Sequence, residues 1–181
     1  MINVRDARAA DAVAMCAIYN DAVAHTTAVF DDVPRTLEAQ QAWLITKEEQ
    51  GWPVLVAETG GRAVGYASFG AFRAWPAYRH TVENSIYVAP DCRGQGVGGQ
   101  LLGALLERAR QRRVHAVIAA ITSDNEASLR LHARFGYREV GRFPEVGHKF
   151  ERWLDVVFME LLLPATSTSA VTVTATSTPT A

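Results

Sequence analysis

The 181-residue chain is poor in cysteine: Cys16 and Cys92 stand far apart and in no ligand-like spacing. That excludes a disulfide-built scaffold and a cysteine-ligated metal centre. The two thiols read as one buried side chain and one loop residue in a reducing compartment. An excess of charge of one sign is missing as well, since 18 Lys and Arg face 19 Asp and Glu, for a net charge of -1. Such a balance has no pull toward polyanions, so neither a nucleic acid nor a membrane surface is expected as a partner. No apolar run is long enough to cross a bilayer, and the mixed opening Met1-Ile2-Asn3-Val4-Arg5-Asp6 does not read as a signal peptide. The five histidines show no metal-ligand spacing. His25, His80 and His115 read as structural or solvated, and no metal is expected. These absences lead us to expect a cytoplasmic protein with a small-molecule partner.

What is present is an ordinary globular composition, 49% hydrophobic and 20% charged, in a chain long enough for one well-filled core. Residues 2–5 could start a strand. Asp11 is placed to cap a helix over residues 12–24, and Thr36 to cap a second over 37–50 that ends at Gly51. Residues 53–58 and 63–69 read as a hairpin turning at Gly60-Gly61. An aromatic and arginine-rich loop follows, Phe72-Arg73-Ala74-Trp75-Pro76-Ala77-Tyr78-Arg79. It leads into a strand over 81–88. Leu101, Leu102, Leu105, Leu106 and Ala109 line one side of a long helix. Residues 114–121 read as a buried central strand, 125–135 as a helix closed by Gly136, and 137–143 and 153–162 as two last strands. The expected fold is one α/β layered domain, residues 1–163, with a mixed sheet covered by helices on both faces. From 164 to 181 the composition turns to Thr, Ser, Ala and Val without charge. We expect a disordered tail there, with an added edge strand as the alternative.

The informative stretch is Tyr87-Val88-Ala89-Pro90-Asp91-Cys92-Arg93-Gly94-Gln95-Gly96-Val97-Gly98-Gly99, a strand entering a helix through a glycine-rich turn. Glycine allows successive N–H groups to point the same way, the helix N-terminus adds a favourable dipole, and Arg93 adds a charge at the rim. A diphosphate is the natural guest. The spacing fits neither a dinucleotide-binding Gly-x-Gly-x-x-Gly nor a P-loop. A plain glycine-rich helix entry with no ligand is the remaining alternative.

With Arg93-x-x-Gly96-x-Gly98 after a strand ending Tyr-Val-Ala-Pro, this stretch resembles the pyrophosphate loop of the GNAT superfamily of N-acetyltransferases. Asn125-Glu126-Ala127-Ser128-Leu129-Arg130-Leu131-His132-Ala133-Arg134-Phe135-Gly136-Tyr137 resembles a second segment of that superfamily. The early Ile18-Tyr19-Asn20-Asp21 and the late Gly147-His148-Lys149-Phe150-Glu151-Arg152-Trp153-Leu154-Asp155 resemble one subgroup, the phosphinothricin and methionine sulfoximine or sulfone acetyltransferases. The likeness covers residues 3–162. It implies a mostly antiparallel GNAT-type sheet, acetyl-CoA as co-substrate, and direct acetyl transfer to the amine of a small, amino-acid-like acceptor.

The resemblance also implies roles for single residues. Ile86, Tyr87 and Val88 would offer backbone to the pantetheine arm, and one amide there would meet the thioester carbonyl. Gly94, Gln95, Gly96, Val97, Gly98 and Gly99, with Arg93, would hold the pyrophosphate. Asn125 and Ser128 would contact the arm. Arg73, Ala74, Trp75, Arg79, Glu83, Asn84 and Ser85 match substrate-contacting segments, although Trp75 stands where relatives carry other apolar residues. Phe30 would wall the pocket or simply pack in the core. Glu83 is our candidate general base, because an alkyl ammonium must lose a proton before it can attack; a solvated strand glutamate is the alternative. His132 stands where many members carry Tyr, and reads as a general acid toward the thiolate or as a structural helix histidine. The loop 141–153 would build a homodimer interface, or be a charged surface loop. Acetylation of protein N-termini or lysines, and a non-catalytic acyl-CoA-binding module, are the alternative functions.

Overall fold

In the computed structural model, residues 1–164 are described. The expected tail lies outside them except for Pro164. The elements are β1 (Asn3–Asp6), α1 (Ala12–His25), α2 (Leu37–Glu49), β2 (Val54–Thr59), β3 (Arg62–Ala71), β4 (Thr81–Val88), α3 (Val97–Gln111), β5 (Ala116–Thr122), α4 (Glu126–Arg134), β6 (Arg138–Lys149) and β7 (Arg152–Leu162). They form a seven-stranded sheet in the order β1-β2-β3-β4-β5-β7-β6. Every neighbouring pair is antiparallel except β4 and β5.

The sheet buries both faces because adjacent residues of β3 face opposite layers. Tyr66 stacks on Tyr87 and meets Trp43 of α2. The next residue back, Gly65, lies under Val97 and Leu101 of α3, where a Cβ would sit 3.1 Å from each. The leucine stripe of α3 is buried as its spacing requires. Leu131 of α4 and Phe135 just after it lie beside Gly98, Gly99 and Gly103 of α3, which packs the two helices on the same face.

Local signals hold at most ends. Thr36 accepts the Ala39 N–H as an N-cap should, and Gly60, Gly61 and Gly136 adopt the left-handed backbone of their turns. Two expectations need correction. Asp11 does not cap α1: its carboxylate reaches back to the Arg8 N–H (2.7 Å) and to Arg5 (2.7 and 2.9 Å), closing a short 3-10 turn at Ala9–Asp11. Residues 141–153 are not a loop. β6 continues through bulges to Lys149 and pairs with β7 as far as the pair Lys149 and Arg152. The charged residues there belong to a hairpin arm with one exposed side, which hydropathy alone does not separate from a loop.

β4 and β5 pair only at Thr81–Ala116, Val82–Val117 and Glu83–Ile118. Beyond that point β4 stays with β3 to Val88 while β5 stays with β7 to Thr122, and a V-shaped gap opens between them.

Candidate active site

The gap exposes main chain with a defined direction. Ala89 N–H donates to Val64 O (2.8 Å) and Phe72 N–H to Thr81 O (3.3 Å). By the alternation of an antiparallel ladder, the odd-numbered β4 residues therefore turn their backbone groups toward β3, and Asn84, Ile86 and Val88 turn theirs toward the gap. Of the three residues expected to offer backbone, Ile86 and Val88 are in position. Tyr87 instead contributes its ring, packed edge-on against Tyr19 and on Tyr66.

A cleft of ≈ 890 Å³ runs from this edge to the glycine turn, lined by Ile86, Tyr87, Val88, Arg93, Gly94, Gly96, Val97, Gly98 and Gly99, with Asn125 and Ser128 opposite. Gly94 (φ +74) and Gly96 (φ +84) hold left-handed backbone with open space where a side chain would stand. Gly96 is the residue before the first turn of α3, so the free N–H groups of that turn face the cleft. Gly98 serves another purpose: a Cβ there would lie 3.2 Å from Leu131. Gln95 turns away and donates to Asp91 O (2.8 Å). Arg93 is less free than its place in the sequence suggests. It donates to Val88 O (3.1 Å) and pairs with Asp21 of α1 (2.8 Å), so it braces the turn as well as charging its rim. Arg134 and Arg152 also line the cleft, two cations that the sequence reading did not single out. A long, thin molecule with linked phosphates at one end and an amide-bearing arm at the other fits this shape.

A second cavity, ≈ 310 Å³, meets the first at Thr27, Ala28, Ile86, Tyr87, Asn125 and Ser128. Glu83, Asn84, Ser85, Phe30 and His132 line it, as expected; so do Tyr19 and Asp31, which sequence reasoning missed. The Tyr19 hydroxyl donates to the Asp31 carboxylate, and the Arg35 guanidinium lies 3.8 Å over the Tyr19 ring. Tyr19 belongs to a stretch whose subgroup likeness was legible; Asp31 carried no local signal. Burial raises the Glu83 carboxyl above the ordinary glutamate range, and Arg73, 4.0 Å away, works in the opposite sense. Arg73, Ala74, Trp75 and Arg79 do not line the cavity; Arg73 reaches it only through Glu83, Trp75 is exposed, and Arg79 donates to Pro76 O (3.3 Å).

His132 lies at the cavity wall with both ring nitrogens engaged. Nδ1 is 2.8 Å from Ser128 O, which can only accept, so Nδ1 carries the hydrogen. Nε2 is 3.1 Å from the Asn84 amide nitrogen, and the Asn84 carbonyl accepts from Tyr137 OH (3.0 Å). Burial lowers the His132 pKa, and the neutral ring with Nε2 as acceptor satisfies every partner. The ring then has no proton free for a thiolate; it fixes Asn84, and through it β4, against α4.

Residues 15–137 match the Acetyltransferase (GNAT) family. An L-methionine sulfoximine/L-methionine sulfone acetyltransferase of Pseudomonas aeruginosa is 50% identical over 165 residues, covering 91% of this chain and 96% of that protein. A phosphinothricin N-acetyltransferase of Streptomyces coelicolor is 39% identical, covering 88% and 95%. Among solved structures, a phosphinothricin acetyltransferase of Sinorhizobium meliloti in complex with AcCoA superposes with a TM-score of 0.87 at 35% identity, over 90% of this chain and 88% of that one. The chain belongs to the GNAT family and is an acetyltransferase that uses acetyl-CoA.

Proposed function

We propose that this enzyme acetylates the α-amine of a small amino-acid-like acceptor of the methionine sulfoximine, methionine sulfone or phosphinothricin type, by direct attack. The observation that carries the proposal is the junction of the two cavities at Ile86 and Tyr87, with Glu83 on the wall of the smaller one. The names of the relatives at 50% and 39% identity support the acceptor class.

Acetyl-CoA supplies the activated acetyl group as a thioester. The N–H groups of the glycine turn from Gly94 to Gly99 hold its diphosphate, and the β4 backbone at Ile86 and Val88 aligns its arm, with Asn125 and Ser128 on the far side. An amide of that β4 edge donates to the carbonyl oxygen as negative charge develops. Glu83 takes the proton from the acceptor's ammonium, directly or through water; its raised pKa makes it a better base once ionised. Asn84 and Ser85 position the acceptor, and Phe30 walls its side chain. Arg73, Ala74, Trp75 and Arg79 lie on the loop that leads to Glu83, from which an arginine fork meets the acceptor's carboxylate. As the C–N bond forms and the C–S bond breaks, the nitrogen loses its second proton to water and water reprotonates the leaving thiolate, with His132 holding Asn84 in place.

The enzyme works as a homodimer in the cytoplasm, detoxifying an amino-acid analogue. The β6–β7 arm exposes Val140, Phe143, Val146, Phe150 and Trp153, an apolar face suited to a second copy. Light scattering on purified protein tests the dimer, and a single-chain mass would reject it. An acceptor screen by thiol release tests the activity. We expect fastest turnover on methionine sulfone or sulfoximine. Turnover on peptides alone would move the reading to protein acetylation, and acetyl-CoA binding without turnover would leave a binding module.

A further inference from the structure

Lys149 is 4% exposed and, among the described residues, has no carboxylate within ion-pair distance, although it sits at the end of an arm whose other side faces solvent. Its ammonium instead donates to two main-chain carbonyls, Val29 O at 2.6 Å and Thr26 O at 3.1 Å. Burial lowers its pKa while Asp32 and Asp31 oppose the shift, so the charge it carries is turned toward that segment. Arg152 is its cross-strand partner and shares its side of the hairpin. Arg152 pairs with Asp124, and Asp124 accepts from the Thr27 hydroxyl (2.7 Å). Both cations at the hairpin end therefore converge on residues 26–29. The turn that sets them opposite each other holds Phe150 (φ +52) and Glu151 (φ +59) in left-handed backbone without glycine, a strained arrangement that the surrounding contacts must maintain. Two residues before Lys149, Gly147 admits the Phe30 ring so closely that a Cβ would lie 2.4 Å from it.

Resting on the acetyl-transfer reading above, we infer that Lys149 and Gly147 are positioning residues for acceptor recognition: the β6–β7 hairpin latches residues 26–31, and with them Phe30 and Asp31, as the outer wall of the acceptor cavity. Neither residue touches the reacting atoms. Their effect reaches the acceptor through the wall they hold, so it falls on acceptor binding and selectivity before it falls on chemistry.

The test compares Lys149→Met, which keeps the apolar stem and removes the donors, with Gly147→Ala, which displaces Phe30 and leaves Lys149 intact. We expect the acceptor KM to rise about tenfold or more in both, with kcat changing less than about threefold. The acetyl-CoA KM should stay within about threefold in Gly147→Ala and rise less than the acceptor KM in Lys149→Met, because Thr26, Thr27 and Ala28 also line the coenzyme cleft. Hydrogen exchange at residues 27–31 should quicken in Lys149→Met while β4 and β5 keep wild-type protection. Equal rises in both KM values, or unchanged exchange at 27–31, overturn the latch. Should Lys149→Met fail to fold, Gly147→Ala decides by the same KM comparison. Wild-type protein that acetylates no amino-acid acceptor would defeat the reading of function instead, while the exchange experiment would still judge the latch.

Discussion

The two halves of the active site are built differently. The coenzyme half is centred on one continuous stretch, the β4 edge and the glycine turn of residues 86–99, with Asn125, Ser128, Arg134 and Arg152 lining it from other elements. The acceptor half draws its side chains from many elements. It is assembled from Tyr19 of α1, Phe30 and Asp31 of the α1–α2 connection, Glu83 of β4, Thr122 of β5, His132 of α4 and Val156 of β7. Main-chain recognition survives replacement of most side chains, so one motif can serve many acceptors. The acceptor half can change by single substitutions on any of six elements. This division predicts that the two substrates can be perturbed separately.

The largest effect should follow Glu83→Gln. Loss of a general base typically lowers kcat by about 10²- to 10⁴-fold. Acetyl-CoA affinity by calorimetry should stay within about twofold of wild type, because Glu83 does not line the coenzyme cleft. A parallel loss of coenzyme affinity would show that the halves are not independent. Arg73→Ala sharpens the same point through pH. The Arg73 cation favours the ionised Glu83, so its removal leaves burial unopposed and raises the carboxyl pKa further. The acid limb of the rate profile should move to higher pH; a limb that stays in place would show that Glu83 is not the titrating base.

Gly96→Ala should do the reverse. The methyl has room, but an L-residue at φ +84 is strained by roughly 1–2 kcal/mol and the turn's amides would shift, so acetyl-CoA affinity should fall about tenfold. Acceptor KM at saturating coenzyme should not change. Gly98→Ala probes packing instead of backbone, since its Cβ would press on Leu131, and Leu131→Ala should restore much of the lost affinity. Loss of acceptor binding in Gly96→Ala would break the division between the halves.

The same contrast explains what the sequence made legible. Gly94, Gly96 and the strand before them carry their meaning locally, because left-handed backbone and helix entry depend on neighbouring residues. Thr36 and the leucine stripe of α3 are local in the same way. Asp31 comes to the site through a hydrogen bond to Tyr19 twelve positions earlier. Lys149 reaches carbonyls more than a hundred positions away. Nothing in the immediate sequence distinguishes either from a surface charge. Asp11 was misread for a related reason: the capping pattern is local, but Arg5 gives its carboxylate a stronger partner. Gly141–Trp153 looked like a loop because one side of that hairpin meets solvent.

The smallest predicted effect concerns His132, and it distinguishes a positioning histidine from an acid. Burial holds its pKa in the folded protein below the ordinary histidine range. The unfolded chain therefore binds a proton near and below about pH 6.5 that the folded protein refuses, and stability is lost as pH falls through that range. Above it the histidine is neutral in both states and adds no pH dependence. For one proton the slope cannot exceed about 1.4 kcal/mol per pH unit. His132→Leu leaves the Asn84 amide without its acceptor, which costs about 1–3 kcal/mol near neutral pH. It also removes the proton uptake, so the stability gap between wild type and variant should narrow from about pH 7.5 to about pH 5.5 in denaturant titrations. Parallel curves would mean that His132 binds its proton as readily in the folded protein as in the unfolded chain. In the folded variant kcat should fall only severalfold, since water can reprotonate a thiolate. A loss beyond about a hundredfold would instead make His132 the acid, and would require Asn84 to release Nε2 during turnover.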